Sequence, residues 1–362
     1  MANEKLSLSP ESLANQGGKF ELMSPYNFLT EFVQTARVAK DRLYVQAMYF
    51  EDDHVFAPMA NALKQSAMRL VDTRLTFDYF TFMVSEGRIN YLPIFSASDR
   101  DYRDLKKARV HALTKELQQA GVRVTVTNPP KPIDKLIPTL GRNHKKTVII
   151  DDKAWLGGLN YSQKDFNRPD FMVRIEEPSI VEALSSQYDT ANENRPHKDY
   201  SISCNPGTAL LVDVGTPNKS LILDTATDLV SKAKKSVKVI TQFNPDGKFL
   251  EALHHAHTRG VDASVIVSNP DFITEKLAWI FDRNSHLHMY GKGLQIPINH
   301  YPGWVHSKLL LVDDDSGSNG QVLFGSHNLS NDGVKMGTEE IALLSGDSDL
   351  IVPLRTYFNK MK

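Results

Sequence analysis

The sequence is poor in cysteine and has no excess of either charge, and each of these features excludes a class of protein. A single cysteine, Cys204, among 362 residues excludes an intramolecular disulfide and a zinc site built from several cysteines. We interpret Cys204 as a small residue in a turn near residues 205–207. An excess of one charge is also missing, because 42 Lys and Arg face 43 Asp and Glu. This balance argues against an obligate polycationic nucleic-acid binder, although it leaves room for a local basic groove.

Long hydrophobic runs are absent as well. No uninterrupted apolar stretch approaches the ~20 residues that a membrane-spanning helix needs. The polar stretch from Met1 to Phe20 has no apolar segment after a basic start, so we expect no signal peptide. These features predict a soluble, cytoplasmic protein whose contact with a membrane, if it has one, is peripheral.

Two stretches of the chain, roughly 190 residues apart, repeat one pattern. Residues 43–47 and 237–241 alternate apolar and polar side chains as strands do, and residues 58–69 and 249–259 have helical spacing. Each stretch reads helix, strand, helix, strand, and such units build a mostly parallel sheet covered by helices. The predicted fold class is therefore α/β, with two pseudo-symmetric halves, each a mixed, mostly parallel sheet flanked by helices.

Polar segments rich in Pro and Gly predict the boundaries. We expect a linker over residues 192–217, and we divide the chain into an N-terminal arm (1–20), a first half (21–200) and a second half (201–362). Residues 313–320 predict an exposed hairpin loop. A calcium loop is the weaker alternative there, because the closing Glu and the ligand alternation of an EF-hand are missing.

One motif, whose residues can take part in catalysis, occurs once in each half. Residues 144–151 and 306–313 both read His-x-Lys-x4-Asp, and each copy runs into an apolar strand. A Gly-Gly-x-Asn or Gly-Ser-x-Asn element then closes each copy. Two full matches are a much stronger signal than one. From the closing elements we predict substrate-binding residues: Gly158, Asn160, Ser326 and Asn328.

The residue types of the motif suit an anionic phosphodiester. Residues i and i+2 of a strand share a face, so His144 and Lys146 should point the same way, as should His306 and Lys308. Histidine can attack phosphorus or protonate a leaving oxygen near neutral pH. Lysine supplies charge to the non-bridging oxygens. In-line displacement needs groups on both sides of phosphorus, which explains the duplication.

The two aspartates of the motif have the opposite parity to the histidines. Asp151 and Asp313 should therefore face away from the substrate, and we predict that they are structural partners at the strand end. A weaker chemical signal is the pair His254 and His257 on one predicted helix face. Without a carboxylate partner we interpret it as an ordinary helix face rather than a metal site.

The duplicated motif resembles the signature of the phospholipase D superfamily, of the cardiolipin synthase or phosphatidyltransferase type, over nearly the whole chain from about Tyr26. The resemblance implies one active site between the halves and a covalent phosphohistidine intermediate. It usually assigns the nucleophile to the first copy, His144, although the residues alone leave His306 open. It also implies an acidic residue downstream of each His that orients its other ring nitrogen. The candidates are Asp170 and Glu340, with Glu339 as a rival.

Phospholipid hydrolysis, or transfer of a phosphatidyl group to an alcohol, is the function that we expect. No metal ion or other cofactor is needed, and no partner is required to complete the site. A metal-independent nuclease on the same scaffold is the alternative, and a non-catalytic relative is the weakest reading. No dense basic run flanks either motif, which favours lipid over nucleic acid. The loops at residues 129–142 and 285–304 should lie at the site entrance, either as a rim for lipid or as ordinary packed loops.

Overall fold

A computed structural model describes residues 19–85, 88–89, 98–129, 140–193, 196–269, 289, 291–313 and 320–362. Nearly all of the predicted N-terminal arm, most of the entrance loop at residues 129–142, a smaller part of that at 285–304 and most of the loop at 313–320 lie outside these residues. The last residue assigned to the arm, Phe20, belongs to a strand instead, because its backbone pairs with Ile175.

The described chain alternates strands and helices. The strands are β1 (Phe20–Met23), β2 (Arg42–Ala47), β3 (Asp72–Asp78), β4 (Val84–Ser85), β5 (Arg88–Ile89), β6 (Arg123–Thr127), β7 (Thr147–Ile150), β8 (Lys153–Gly157), β9 (Met172–Ile175), β10 (Tyr200–Asn205), β11 (Thr208–Val214), β12 (Ser236–Ile240), β13 (Asp262–Ser268), β14 (Ile298–Tyr301), β15 (Leu309–Val312), β16 (Gln321–Gly325) and β17 (Glu339–Ser345). The α-helices are α1 (Pro25–Val38), α2 (Phe56–Met68), α3 (Ser98–Gln119), α4 (Gln163–Phe166), α5 (Pro178–Glu193), α6 (Leu221–Lys232), α7 (Gly247–Thr258), α8 (Asn331–Lys335) and α9 (Ser348–Met361).

The strands form two large sheets that repeat one order. The first sheet is β1-β9-β8-β7-β2-β3-β6, and the second is β10-β11-β17-β16-β15-β12-β13-β14. The predicted helices at 58–69 and 249–259 correspond to α2 and α7, and the predicted strands correspond to β2 and β12. The α/β class and the two similar halves are therefore confirmed.

The sheets are mixed, but our expectation of mostly parallel strands is wrong. Among the described strands, parallel pairing is confined to β2-β3-β6 and β12-β13-β14. The strands β7, β8 and β9 are antiparallel to their neighbours, as are β15, β16 and β17. Residues 151–152 leave only a two-residue turn between β7 and β8, and a hairpin that short forces antiparallel pairing. The connections from β8 to β9 and between β15, β16 and β17 are longer, so there the direction depends on pairing within the sheet.

The segment predicted as a linker folds into a hairpin. Residues 200–205 and 208–214 are β10 and β11, joined by a turn at Pro206 and Gly207. Alternating apolar residues in both strands override the Pro- and Gly-rich composition, because they cover the core between the sheets. Cys204 consequently lies half-buried at the end of a strand rather than in the turn.

The two halves share one hydrophobic core. A single cluster joins side chains of β7, β8 and β9 to side chains of β15, β16 and β17, with α5 and α9. Phe171 and Phe324, one from each half, have ring centroids 6.1 Å apart. This shared core fixes the two motifs relative to one another. No helix in the described ranges combines the length and apolar composition needed to cross a bilayer.

Candidate active site

Both motif histidines lie just before a strand and are held by the backbone of the other half. The backbone N–H of His144 donates to the carbonyl of Glu339 at 2.9 Å, and that of His306 donates to the carbonyl of Pro169 at 3.0 Å. Their strands, β7 and β15, begin three residues further on. The prediction that the His and Lys pairs lie within the strands is therefore wrong, since this part of the chain pairs with the opposite half instead.

Each imidazole is paired with an acid from the opposite half. His144 Nδ1 lies 3.0 Å from Glu340 Oε2, and His306 Nδ1 lies 2.7 Å from Asp170 Oδ2. Asp170 and Glu340 are the acids that we predicted, but we expected each to serve the His upstream of it in its own half. The exchange follows from the packing of the halves, which brings the start of each motif against the chain ahead of β9 or β17.

The rival acid, Glu339, has a different partner. Its Oε2 lies 3.0 Å from the Lys145 Nζ, and both side chains are buried. Successive residues of the strand β17 point to opposite faces, so Glu339 and Glu340 cannot both reach His144. The geometry therefore places Glu340, and not Glu339, against the imidazole.

The protonation of His144 follows from its neighbours. Its Nδ1 also lies 3.0 Å from the carbonyl oxygen of Ser326, which can only accept a hydrogen bond. Nδ1 must therefore carry the proton, and in the neutral ring the lone pair resides on Nε2. Burial lowers the pKa of His144, although the charge of Glu340 opposes the shift. This is the form of the ring that a nucleophile needs.

Two buried lysines accompany the histidines. Lys146 Nζ donates to the carbonyl of His144 at 2.6 Å, and Lys308 Nζ donates to the carbonyl of His306. Burial and the like charge of Lys308 lower the pKa of Lys146 to about 7. Burial also lowers the pKa of Lys308 to about 8, against the attraction of Asp170. The two ammonium groups repel one another, so an anion placed between them would stabilise both.

The two carboxyls that face the histidines differ in proton affinity. Burial raises the pKa of Asp170 to about 6, against the opposing charge of Lys308. Burial acts in the same direction on Glu340, but the charge and hydrogen bond of His144, with the charges of His327 and Lys146, together bring the pKa of Glu340 to about 2. Burial lowers the pKa of His306 well below its usual value. Of these two carboxyls, Asp170 is therefore the one that gains a proton closer to neutral pH.

The closing elements of the motifs lie beside these pairs. Asn160 and Asn328 each have a side-chain Oδ1 that is buried and lacks a hydrogen-bond partner among the described residues. Oδ1 is an acceptor, so a phosphate would have to be met by the Nδ2–H groups of these amides, and their substrate-binding role stays a prediction. Ser326 differs from our prediction, because its hydroxyl donates to Glu340 Oε2 at 2.6 Å. Its contacts are those of a residue that positions Glu340.

Gly158, the counterpart of Ser326, packs against the acid of its own half. A Cβ at this position would lie 2.7 Å from Asp170 Oδ1. We therefore predict that Gly158→Ala displaces the Asp170 carboxylate from His306 and reduces kcat at least tenfold, roughly the loss seen when a histidine-orienting partner is removed. Steady-state kinetics together with a melting curve tests this. An unchanged kcat would show that Asp170 tolerates the displacement.

The motif aspartates lie at the opposite ends of the strands. Asp151 and Asp313 both adopt φ of +50°, a left-handed conformation that Asp tolerates better than most residues. The carboxylate of Asp151 accepts the backbone N–H groups of residues 40–42 at 2.9–3.1 Å. The carboxylate of Asp313 accepts those of residues 234–236. These contacts support the structural role that we predict for both.

Three residues on the His306 side of the site were not predicted from the sequence: Tyr49, Asp165 and Arg168. Asp165 is buried and attracts the protonated form of His306, while its carboxylate accepts hydrogen bonds from the hydroxyl of Tyr49 and from Arg168. The Arg168 guanidinium lies over the ring of Trp304, 4.5 Å from its centroid. Nothing in the spacing connects Tyr49 with Asp165, because only the fold brings the end of β2 to α4.

The chain matches one known protein family over both halves. The family model described as "Cardiolipin synthase, PLD-like domain" matches residues 32–191 and 227–362. The two matched segments contain the two motifs, one each, and they span most of the chain.

Curated relatives include two proteins of Bacillus subtilis. The major cardiolipin synthase ClsA is 27% identical over 308 residues, which cover 78% of this chain and 57% of that protein. The probable cardiolipin synthase YwiE is 23% identical over 310 residues, which cover 80% of this chain and 56% of that protein. The chain thus spans little more than half the length of these relatives.

Solved structures show the same fold at low identity. Phosphatidylserine synthase of Haemophilus influenzae superimposes with a TM-score of 0.65 at 15% identity, over 94% of this chain and 85% of that one. Polyphosphate kinase of Porphyromonas gingivalis gives a TM-score of 0.61 at 14% identity, over 98% of this chain and 54% of that one.

Proposed function

Because the chain belongs to the family of cardiolipin synthase PLD-like domains, we propose that it transfers a phosphatidyl group from a phospholipid to an alcohol. One observation carries the proposal: two His–Lys pairs, each completed by an acid of the opposite half, lie in one buried site. The names of the relatives suggest cardiolipin as the product, and the acceptor is then the alcohol of a second phospholipid.

In the proposed first step, the Nε2 lone pair of His144 attacks the phosphorus. A P–N bond forms, the bond to the leaving oxygen breaks, and His306 gives a proton to that oxygen. Lys146 and Lys308 stabilise the charge on the non-bridging oxygens, and the amides of Asn160 and Asn328 bind the phosphate. The intermediate is a phosphatidyl group on His144.

In the second step, His306 takes the proton of the acceptor alcohol, whose oxygen attacks phosphorus. The P–N bond breaks and its electron pair returns to His144 Nε2. Two features favour this assignment of roles. The Nδ1 proton of His144 is fixed between two acceptors, and the carboxylate of Asp170, 2.7 Å from Nδ1 of His306, favours the protonated form of that ring. Water as the acceptor would make the same cycle a hydrolysis.

A direct comparison of substrates tests this function. Wild-type protein and the His144→Asn variant are incubated with phosphatidylglycerol vesicles or with single-stranded DNA, with and without added ethanol. We expect the wild type to form phosphatidylethanol from the vesicles, to leave the DNA intact, and to lose the lipid product in the variant. Cleavage of DNA alone would contradict the proposal and indicate a nuclease. We further propose that the contact with the vesicle surface is peripheral.

The activity should have a bell-shaped dependence on pH. Below about pH 6, protonation of Asp170 removes the negative charge that supports a protonated His306. Above about pH 7, Lys146 loses its proton and with it the charge for the phosphate. We therefore expect kcat/KM, which reports the free enzyme, to be highest between these values. A kcat/KM that stays level from about pH 7 to 9 would contradict the role of a charged Lys146.

A further inference from the structure

The two closing elements differ in a way that the proposed cycle does not use. Residue 159 of the first half is an apolar, buried Leu, whereas its counterpart in the second half is His327, which is 4% exposed. A buried imidazole costs free energy unless both ring nitrogens are satisfied. The contacts of His327 therefore show what the second half gains from it.

Both nitrogens of His327 have partners. Nδ1 accepts the backbone N–H of Leu329 at 2.9 Å, so in the neutral ring the proton resides on Nε2. Nε2 lies 3.3 Å from the Ser220 Oγ, and this hydroxyl donates to Asp213 Oδ2 at 2.5 Å. His327, Ser220 and Asp213 thus form a buried hydrogen-bonded chain, which we call the 213–327 network.

The 213–327 network lies next to Glu340, the acid that is paired with His144. Asp213 in β11 is the cross-strand partner of Glu340 in β17, and both residues are at most 4% exposed. Directly opposite residues of an antiparallel pair project to the same face of the sheet. Ser326 closes the arrangement, because it precedes His327 and donates to Glu340.

We propose that the 213–327 network is a positioning device that keeps Glu340 in place as the acceptor for Nδ1–H of His144, and that it makes the two chemically similar halves unequal. Two buried carboxyls facing each other cannot both ionise readily. With Asp213 able to hold the proton, Glu340 keeps its negative charge for His144. The inference rests on the proposed role of His144 and deepens it.

The pKa shifts within the network agree with a proton on Asp213 and a negative charge on Glu340. Burial raises the pKa of Asp213 to about 7, and the neighbouring Asp199 and Glu340 act in the same direction, while the Ser220 hydrogen bond opposes the shift. Burial lowers the pKa of His327, and the charge of Glu340 opposes that shift. Within the network, the group that changes its charge near neutral pH is therefore Asp213.

Histidine NMR tests the coupling without requiring turnover. The imidazole nitrogens of His144 are followed from pH 5 to 9 in isotopically labelled protein and assigned by the loss of their signals in His144→Asn. Lys146 also titrates near pH 7 and acts on His144, so the titrations are made in the Lys146→Met background. There we expect the remaining inflection near pH 7 to come from ionisation of Asp213. Asp213→Asn should abolish this inflection. Asp332→Asn, the matched control, removes another acid with a raised pKa outside the network and should retain it.

Kinetics provides an independent readout on a lipid-free substrate, bis(4-nitrophenyl) phosphate. His327→Leu, which installs the residue of the first half, should lower kcat roughly tenfold or more without raising KM. His327→Gln retains a donor for Ser220 and should recover part of the loss. If Asp213→Asn does not fold, His327→Leu replaces it in the titration and should shift the inflection.

The outcomes separate this inference from the proposed function. In the Lys146→Met background, an inflection that persists unchanged on adding Asp213→Asn or His327→Leu would overturn the coupling, as would the absence of any inflection before either is added. So would a kcat of His327→Leu equal to that of the wild type. Failure of the wild type to act on any phosphodiester would overturn the proposed function instead, and the titration would still decide whether Asp213 is coupled to His144.

Discussion

Replacing either motif histidine is expected to reduce turnover of a natural phosphodiester by at least about four orders of magnitude, as seen when a member of a catalytic unit is removed. The reason is that His144 and His306 act on opposite sides of one phosphorus. Each is held by an acid of the other half, so neither can replace its counterpart. Asparagine variants retain a polar side chain of similar reach and should preserve the fold.

The two variants should nevertheless differ with a substrate that has an activated leaving group. Nitrophenolate leaves without a proton, so His306→Asn should still undergo the first step and then stop. We expect this variant to accumulate phosphohistidine, which is labile in acid and stable in alkali, and to release a burst of about one nitrophenolate per site. His144→Asn should give neither the burst nor the covalent adduct.

Mass spectrometry of the trapped protein identifies the modified residue. An adduct on His306 in the His144→Asn variant would reverse the assignment of roles. The absence of any adduct in both variants, with a substrate that the wild type turns over, would contradict a covalent cycle. Asn331→Ala, outside the site, serves as a control for the effects of handling and expression.

Replacing Lys146 with Met is expected to have large effects of opposite sign on activity and stability. Lys146 is fully buried, and its ammonium is destabilised by burial and by Lys308. Methionine fills a similar volume without the charge. We predict a loss of about 10²–10³ in kcat/KM, comparable with the removal of one oxyanion donor. We also predict a higher Tm at neutral pH.

The stability effect should depend on pH in a defined direction. The pKa of Lys146 is about 7 in the folded protein and 10.5 in the unfolded chain. Between these values the unfolded chain binds more protons, so the wild type gains stability as the pH rises. The Tm advantage of Lys146→Met should therefore be largest at or below pH 7 and should shrink towards pH 10.

Calorimetry across this range provides the measurement, and Lys308→Met is the matched variant. Its advantage should follow the same course from a slightly higher pH, because the pKa of Lys308 is about 8. A Tm that falls in both variants at pH 7 would show that the hydrogen bonds from the ammonium groups to the carbonyls of His144 and His306 outweigh the cost of the buried charge.

The errors in the sequence reading share one cause. Composition predicted a linker where β10 and β11 pair, and the repeat predicted parallel strands where β7 to β9 and β15 to β17 form antiparallel hairpins. In each case a local signal was interpreted without its partners in the sheet. Strand direction and pairing depend on residues that lie elsewhere in the chain, whereas the helices α2 and α7 follow from their own periodicity.

The sequence by itself determined the chemistry that is available: two copies of His, Lys and Asn in equivalent contexts, two acids, and two α/β halves that carry them. Tertiary structure alone decided how these groups combine. Glu340 serves His144 across 196 positions, and Asp170 serves His306 across 136. Spacing along a chain limits only near neighbours, whereas the core shared by the two sheets sets such distant contacts. The same packing buries Lys146, Asp170 and Asp213, and burial is what shifts their pKa values towards neutrality.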